Sequence, residues 1–419
     1  MNLLKSKLNT PLILQILIGL YLCIYLVSGF YTELQFITLK PLPEDLFQDY
    51  KIYQRALNDA LEGDNPYEIQ KIGSGFVYAP PALLIIELFQ IIKNPDVQKA
   101  IFITTNIAFM LLIAYGIAEY YELTAQKVWY WYILCLGFAP FLELLHIGQI
   151  NVITMFGIFL MFILVRRSPY FSGFGLGMAI ITKVTPVFFM GYLLVNRKFK
   201  VLITTLIVLA LLTGLAILRY GLNPILEYPK TFLWLMNQFH LTINSQSLVA
   251  KLAIANTVQF ERAIALVPEL IKPSIIGLFT FFTNQYILIQ RVLTIYIGLV
   301  LVISCILTYI KKLPGEPLFV ITALGMMISP NIAWYHHYVF ILLPLLIWMG
   351  WSGLNWKVVS WCLFGLLIIQ LDRRLLTSGL LIHVFSHITI LIILYWLTRQ
   401  FFTRRIVNAP SELEIVNHG

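Results

Sequence analysis

Uncharged apolar runs of membrane-crossing length decide what this chain can become. Pro11 to Tyr31, Val201 to Leu218 and Val292 to Ile310 each pass without one charged side chain. A helix of about 20 such residues spans a hydrocarbon layer of about 30 Å, where lipid cannot satisfy an unpaired backbone group. With 59% hydrophobic and 12% charged residues in 419, no water-soluble domain fits. The reading is an all-α polytopic membrane protein, a helical bundle of roughly ten to thirteen transmembrane or re-entrant helices. Residues 1–407 form one integral-membrane domain, and 408–419 read as a disordered cytoplasmic tail. The first apolar run is too long for a signal-peptide core and reads as a retained span. The formal charge of +9 does not point to nucleic acid, because the bases gather at the ends of apolar runs, where they set orientation. Cys23, Cys135, Cys305 and Cys362 lie inside apolar runs and read as packing residues.

One connector departs from this pattern. Residues 32–79 separate two apolar runs, and eight acids stand against four bases from Glu33 to Lys71. Leu46, Tyr50, Tyr53, Leu57 and Leu61 recur at steps of three and four, which predicts an amphipathic helix. Pro43 can start it and Gly63 can stop it. Asp49 stands at the edge of the apolar stripe, one turn before Tyr53. A carboxylate held at a membrane surface is a candidate general base; a solvated surface charge is the plainer alternative. A second polar connector covers 219–273.

Polar groups at membrane depth are the other signal. Lys183 in GLGMAIITKVTP is flanked by apolar residues. A lysine in hydrocarbon costs about 2.5–3.5 kcal/mol or more, so it faces a cavity, a partner or an anion. Gln149 and Asn151 in HIGQIN suit a sugar or interhelical amide packing. His336 and His337, beside Trp334 and Tyr335, suit a phosphate or an interfacial belt. Asp372, Arg373 and Arg374 read as a solvated charged loop. Up-and-down counting, with Pro80 to Ile92 as a span, puts Gln149 inside and Arg166 outside. The positive-inside rule instead wants Arg166, Arg167, Arg197, Lys198 and Lys200 inside. A re-entrant segment near Pro140 or Pro186 would reconcile the two. There is no Walker loop, HExxH or GxSxG, and the first connector holds no DxD, so no metal site is expected.

Several stretches in order resemble a known family. They are Asp49-Tyr50-x-x-Tyr53-x-x-Ala56, Gly63-x-Asn65-Pro66-Tyr67, Phe76-x-Tyr78-x-Pro80-Pro81 and Gly148-Gln149-x-Asn151. Then come Gly173 through Gly177 to Lys183-x-x-Pro186 with Arg197, Asn244 to Leu248, and Ser329-Pro330 with Trp334 and His336-His337. The set is similar to the polyprenol-phosphate-mannose-dependent mannosyltransferases of the GT-C superfamily. Tyr78-Ala79-Pro80 stands where that family has Tyr-Pro-Pro, and Ser245-Gln246-Ser247 where it has Asn-Gln-Ser. The resemblance implies a GT-C-type bundle whose first outside loop carries the catalytic carboxylate. It implies a lipid-linked sugar as donor, inversion at the anomeric carbon, and no cofactor.

On this reading Asp49 is the base. Lys183, His336 and His337 bind the donor phosphate, and Tyr53, Tyr78, Gln149, Asn151 and Asn244 shape the sugar and acceptor site. The partners are the bilayer, a polyprenyl-phosphate-linked sugar, and a lipid or glycan acceptor. The expected location is a bacterial plasma membrane with the site on the extracytoplasmic side. A lipid-linked-sugar flippase or transporter also accommodates broken helices and a buried lysine. A non-catalytic membrane scaffold is a third reading.

Overall fold

A computed structural model describes residues 19–31, 47–67, 75–236, 272–273, 286–311, 313–329, 334–372 and 380–403. Pro43, Leu46, Asn244, the Arg373–Arg374 pair and the 408–419 tail lie outside the described residues. The described chain is α-helical and membrane-embedded, as its apolar runs require. The helices are α1 (Gly19–Tyr31), α2 (Gln48–Glu62), α3 (Ala82–Phe89), α4 (Pro95–Tyr120), α5 (Ala125–Leu136), α6 (Ala139–Ile147), α7 (Asn151–Leu164) and α8 (Pro169–Thr182). There follow a 3-10 turn at Thr185–Val187, α9 (Phe188–Val195), α10 (Phe199–Tyr220), α11 (Asn223–Met236), α12 (Tyr286–Lys311) and α13 (Gly315–Ile328). A second 3-10 segment, Tyr335–Ile341, leads into α14 (Leu342–Trp351), α15 (Trp356–Asp372) and α16 (Leu380–Thr403).

Among the described residues, four helices are long and apolar enough to cross a membrane alone: α4, α10, α12 and α16. The pair α5 and α6, bent by 52° at their junction, is long and apolar enough when taken together. The expected ten to thirteen transmembrane or re-entrant helices therefore include many that are too short to pass as crossings by length alone. Several have 10–17 residues, and α3 has only eight. At 1.5 Å per residue α3 covers about 12 Å, far short of a bilayer.

Because α3 does not cross, the up-and-down count shifts by one, and the orientation conflict disappears. The bundle has two ends. Asp49, the α6–α7 turn at Gln149 and Lys183 share one end, through the Gln149–Asp49 and Lys183–Asn151 contacts. Arg219 joins that end through Glu87, 2.6 Å away on α3. Lys93 and Lys99 flank the start of α4 and fall here too. The opposite end collects Arg166, Arg167, Arg197, Lys198 and Lys200 at the other ends of α7 to α10. The chain reverses at Pro186, in the 3-10 turn between α8 and α9. The α8–α9 hairpin rises to Lys183 and returns, so that Tyr192 packs on Phe319 near the start of α13.

The α5–α6 break leaves backbone groups without helical partners, and lipid cannot satisfy them. Gln370 does so from α15. Its amide nitrogen donates to the carbonyls of Tyr25 (2.9 Å) and Gly137 (2.8 Å), and its oxygen accepts from the Ala139 amide (2.5 Å). One side chain thus joins α1, α5, α6 and α15. Close approach explains the α7–α8 contact: a Cβ on Gly157 would meet the Gly175 carbonyl oxygen at 2.5 Å.

A candidate active site at the less basic end of the bundle

The helix expected from the stripe in the first connector exists. It buries Tyr50, Tyr53, Ala56, Leu57 and Ala60. Leu61, expected in the stripe, is instead exposed, and Ala60 takes its place because the buried face follows the 3.6-residue period. Gly63 ends the helix with φ of 86°, a left-handed conformation that glycine adopts without a Cβ penalty. Burying side chains the size of Leu57 contributes about 1.5–3 kcal/mol each, so this face anchors α2 firmly. Gln98 on α4 braces it further. Its oxygen accepts from Gln54 at 2.7 Å, while its nitrogen donates to the Ile92 carbonyl at 2.6 Å.

The backbone then presses α2 against the α6–α7 turn. The Phe47 amide donates to the His146 carbonyl at 3.0 Å. Gly148 has φ of 75°, and a Cβ there would lie 2.8 Å from the Tyr50 Cβ and 2.9 Å from Phe47. Only glycine meets both conditions, so the Gly148-Gln149 pair acts as a unit: the glycine admits α2 and the next residue meets Asp49. Gly148→Ala is expected to cost about 1–3 kcal/mol from left-handed strain and overpacking together. A thermal melt of the detergent-solubilised variant checks this.

Gln149 connects four groups. Its Oε1 accepts from the Tyr53 hydroxyl (2.8 Å), the Tyr78 hydroxyl (2.9 Å) and the Ile150 amide (3.0 Å). With three donors on that oxygen, the amide orientation is determined, and Nε2 must face Asp49 Oδ2, at 2.5 Å. Tyr53 and Tyr78 also contact one another, oxygen to oxygen, at 3.0 Å. Their rings pack with Phe76 and Tyr67 into an aromatic wall.

The hairpin apex and the second 3-10 segment complete the cluster. Lys183 Nζ lies 3.4 Å from Asn151 Oδ1 and 5.1 Å from the centre of the Phe340 ring. The His336 and His337 rings are perpendicular, with centres 4.6 Å apart. The Trp334 backbone amide donates to His337 Nδ1 at 3.3 Å, which leaves Nε2 to carry the proton of the neutral ring. His336 is buried, and its Nδ1 lies 3.8 Å from Oε1 of a buried Glu143 on α6. Burial is the largest influence on Asp49 and holds its carboxyl above the ordinary aspartate range. His336 and the Gln149 hydrogen bond pull it back down, and Glu143 adds to the rise.

Asp49, Tyr53, Tyr78, Gln149, Asn151, Lys183, His336 and His337 therefore converge from five separate stretches of chain. Asn244 lies outside the described residues. Glu143 is the residue that sequence reasoning missed. Its signal was there, an acid inside the apolar helix APFLELLHI, and a carboxylate at membrane depth is as costly as a lysine. Among the described residues, no group of three or more His, Cys, Asp or Glu side chains is arranged to hold a metal ion.

Comparison with known proteins agrees with the class of chemistry. No curated protein matches the chain. The sequence profile of glycosyltransferase family 87 matches residues 76–330, more than half of the chain. The match contains Tyr78, Glu143, Gln149, Asn151 and Lys183, and it lies between Asp49 on one side and the two histidines on the other. Family 87 sits among the GT-C-like polyprenol-phosphate-sugar glycosyltransferases. The transporter and scaffold readings give way to an enzyme, and the chain belongs to glycosyltransferase family 87.

Proposed function

We propose that the enzyme moves a sugar, mannose, from a polyprenyl-phosphate carrier to a hydroxyl of a lipid or glycan acceptor, with inversion. The observation that carries this reading is the pairing of a partly buried carboxylate with a nearby cationic and imidazole cluster. Asp49 accepts the acceptor hydroxyl proton as its oxygen attacks the anomeric carbon. The bond from that carbon to the phosphate oxygen breaks, and the carrier leaves as polyprenyl phosphate. A phosphate leaving group needs no protonation, so one carboxylate suffices. Lys183, His336 and His337 stabilise the charge that gathers on the phosphate. Tyr53, Tyr78, Gln149 and Asn151 present hydroxyls and amides to the sugar and acceptor, with Asn244 expected beside them. No cofactor is needed.

The gathering of bases at the far end supports a cytoplasmic location for that end, and an extracytoplasmic site in a bacterial plasma membrane. The carrier's tail then stays in the bilayer while its phosphate reaches Lys183.

Purified protein in liposomes, given radiolabelled polyprenyl-phosphate mannose and membrane lipid acceptors, is expected to yield labelled glycolipid. Label confined to the donor pool would overturn the reading. The rate should also fall in acid at a pH above the ordinary aspartate range. The sign follows from burial: a raised carboxyl takes its proton earlier as pH drops, and the protonated form cannot act as base. A pH profile of initial rates checks this limb.

A further inference from the structure

The Gln149 side chain is 5% exposed and is held at both ends of its amide. The Ile150 backbone N–H can only donate, and it reaches Oε1 at 3.0 Å. An ionised Asp49 carboxylate can only accept, and its Oδ2 lies 2.5 Å from Nε2. Turning the amide over would set donor against donor at one end and acceptor against acceptor at the other. Two partners that cannot change roles therefore fix its orientation, before the tyrosine hydroxyls at 2.8 and 2.9 Å are counted.

Two of the partners, Asp49 and Tyr53, stand four residues apart on α2, which puts them on one face of that helix. Gln149 thus grips α2 at two points one turn apart, from a turn that α2 approaches only because residue 148 has no Cβ. The carboxylate is gripped on one oxygen. The contact with Nε2 is its single hydrogen bond among the described residues, and Oδ1 has none. Asp49 is half-buried, which leaves Oδ1 room to meet a substrate hydroxyl. A carboxylate pinned through one oxygen keeps its plane and loses the freedom to turn about its own side chain. Among the described residues the second Nε2 hydrogen has no partner either, and it stays available to an oxygen of the sugar or acceptor.

We propose that Gln149 is a positioning residue of the transfer reaction: it clamps α2 at Tyr53 and Asp49, holds Oδ2, and leaves Oδ1 as the oxygen that takes the acceptor proton. The proposal rests on the reading of Asp49 as the base. Tyr53 and Tyr78 act through the same amide. Their donation to Oε1 polarises it, and hydrogen bonds in series strengthen one another, so the bond from Nε2 to Asp49 is tightened from the far side. Burial favours a protonated, inactive carboxyl, and a donor on Oδ2 offsets this by stabilising the charged form. The geometry and the charge state of the base then depend on one side chain that exchanges no proton itself.

The test is steady-state transfer from radiolabelled polyprenyl-phosphate mannose in liposomes. The constants kcat and KM and the acid limb of the pH profile are measured for wild type, Asp49→Asn and Gln149→Met. Methionine has a similar length and no amide. Gln149→Met is expected to lower kcat by about 100-fold, the cost of misplacing a reacting group by about 1 Å. KM should change far less than kcat. The acid limb should move to higher pH by about one unit, because the lost donor had favoured the charged carboxylate. A side chain that only contacts the sugar would raise KM and leave kcat and the acid limb in place, and that result overturns the proposal. So does a lowered melting temperature with an unmoved acid limb, the mark of a merely structural Gln149. Methionine leaves three donors without their acceptor, so a milder variant is measured beside it. Tyr53→Phe keeps Gln149 and removes one of its two attachments to α2. It is expected to lower kcat by about threefold to tenfold and to move the acid limb in the same direction by less. Unchanged kcat and acid limb in a folded Tyr53→Phe contradict the clamp. A silent wild type, or normal turnover by Asp49→Asn, removes Asp49 as the base and the proposal with it. An active wild type, an inactive Asp49→Asn and an unmoved Gln149→Met profile remove the proposal alone.

Discussion

Asp49→Asn is expected to lower transfer by at least about 1,000-fold while the protein still inserts and folds. Asparagine is nearly isosteric with aspartate, and its side-chain oxygen can still accept from Gln149 Nε2, which lies 2.5 Å from the native carboxylate. The anchoring face of Tyr50, Tyr53, Ala56, Leu57 and Ala60 is untouched. What asparagine lacks is a lone pair basic enough to take a hydroxyl proton. Radiolabel transfer in liposomes measures the loss, and size-exclusion chromatography confirms the fold. Near-normal turnover in the variant would remove Asp49 from the role of base.

Lys183→Met is expected to lower kcat/KM for the lipid-phosphate donor by about 100-fold or more. The methionine keeps much of the stem that packs near Phe340 and loses the ammonium 3.4 Å from Asn151. Stability should move the other way or stay level. A lysine at the apex of a membrane-embedded hairpin costs folding energy, about 2.5–3.5 kcal/mol on insertion scales, so its removal is no structural loss. A variant with unchanged or raised melting temperature and collapsed donor use would separate a functional charge from a structural one. A parallel fall in both would assign Lys183 to the scaffold.

The contrast between these side chains and the rest of the bundle shows what a sequence can reveal here. Asp49, Lys183, Gln149 and the two histidines stand out because each is polar where the pattern is apolar, and lipid makes such exceptions expensive. Their convergence was not legible. It depends on the Gly148 turn, which admits Phe47 and Tyr50, and on the hairpin apex at Lys183. The α3 run misled the count because the mostly apolar stretch of thirteen residues from Pro80 to Ile92 looks like part of a crossing, while a helix of eight is too short to be one. Without that crossing, the up-and-down count and the distribution of bases no longer conflict at Gln149. Gln370 gave no warning of its role, since bracing the α5–α6 break is a tertiary contact between residues more than two hundred positions apart. Glu143 was overlooked for a different reason. It lies one turn after Pro140, and a proline-broken segment reads as a loop, where an acid costs little.

The central claim is a transfer site on the extracytoplasmic end, opposite the basic end of the bundle. Single cysteines at Asn58, exposed on α2, and at Asn355, exposed between α14 and α15, would be introduced after replacing the four native cysteines. Sealed cells would then be treated with a membrane-impermeant maleimide. Labelling of Asn58→Cys in intact cells, with Asn355→Cys labelled only after permeabilisation, is the predicted result. The reverse pattern would put Asp49 in the cytosol and contradict the account.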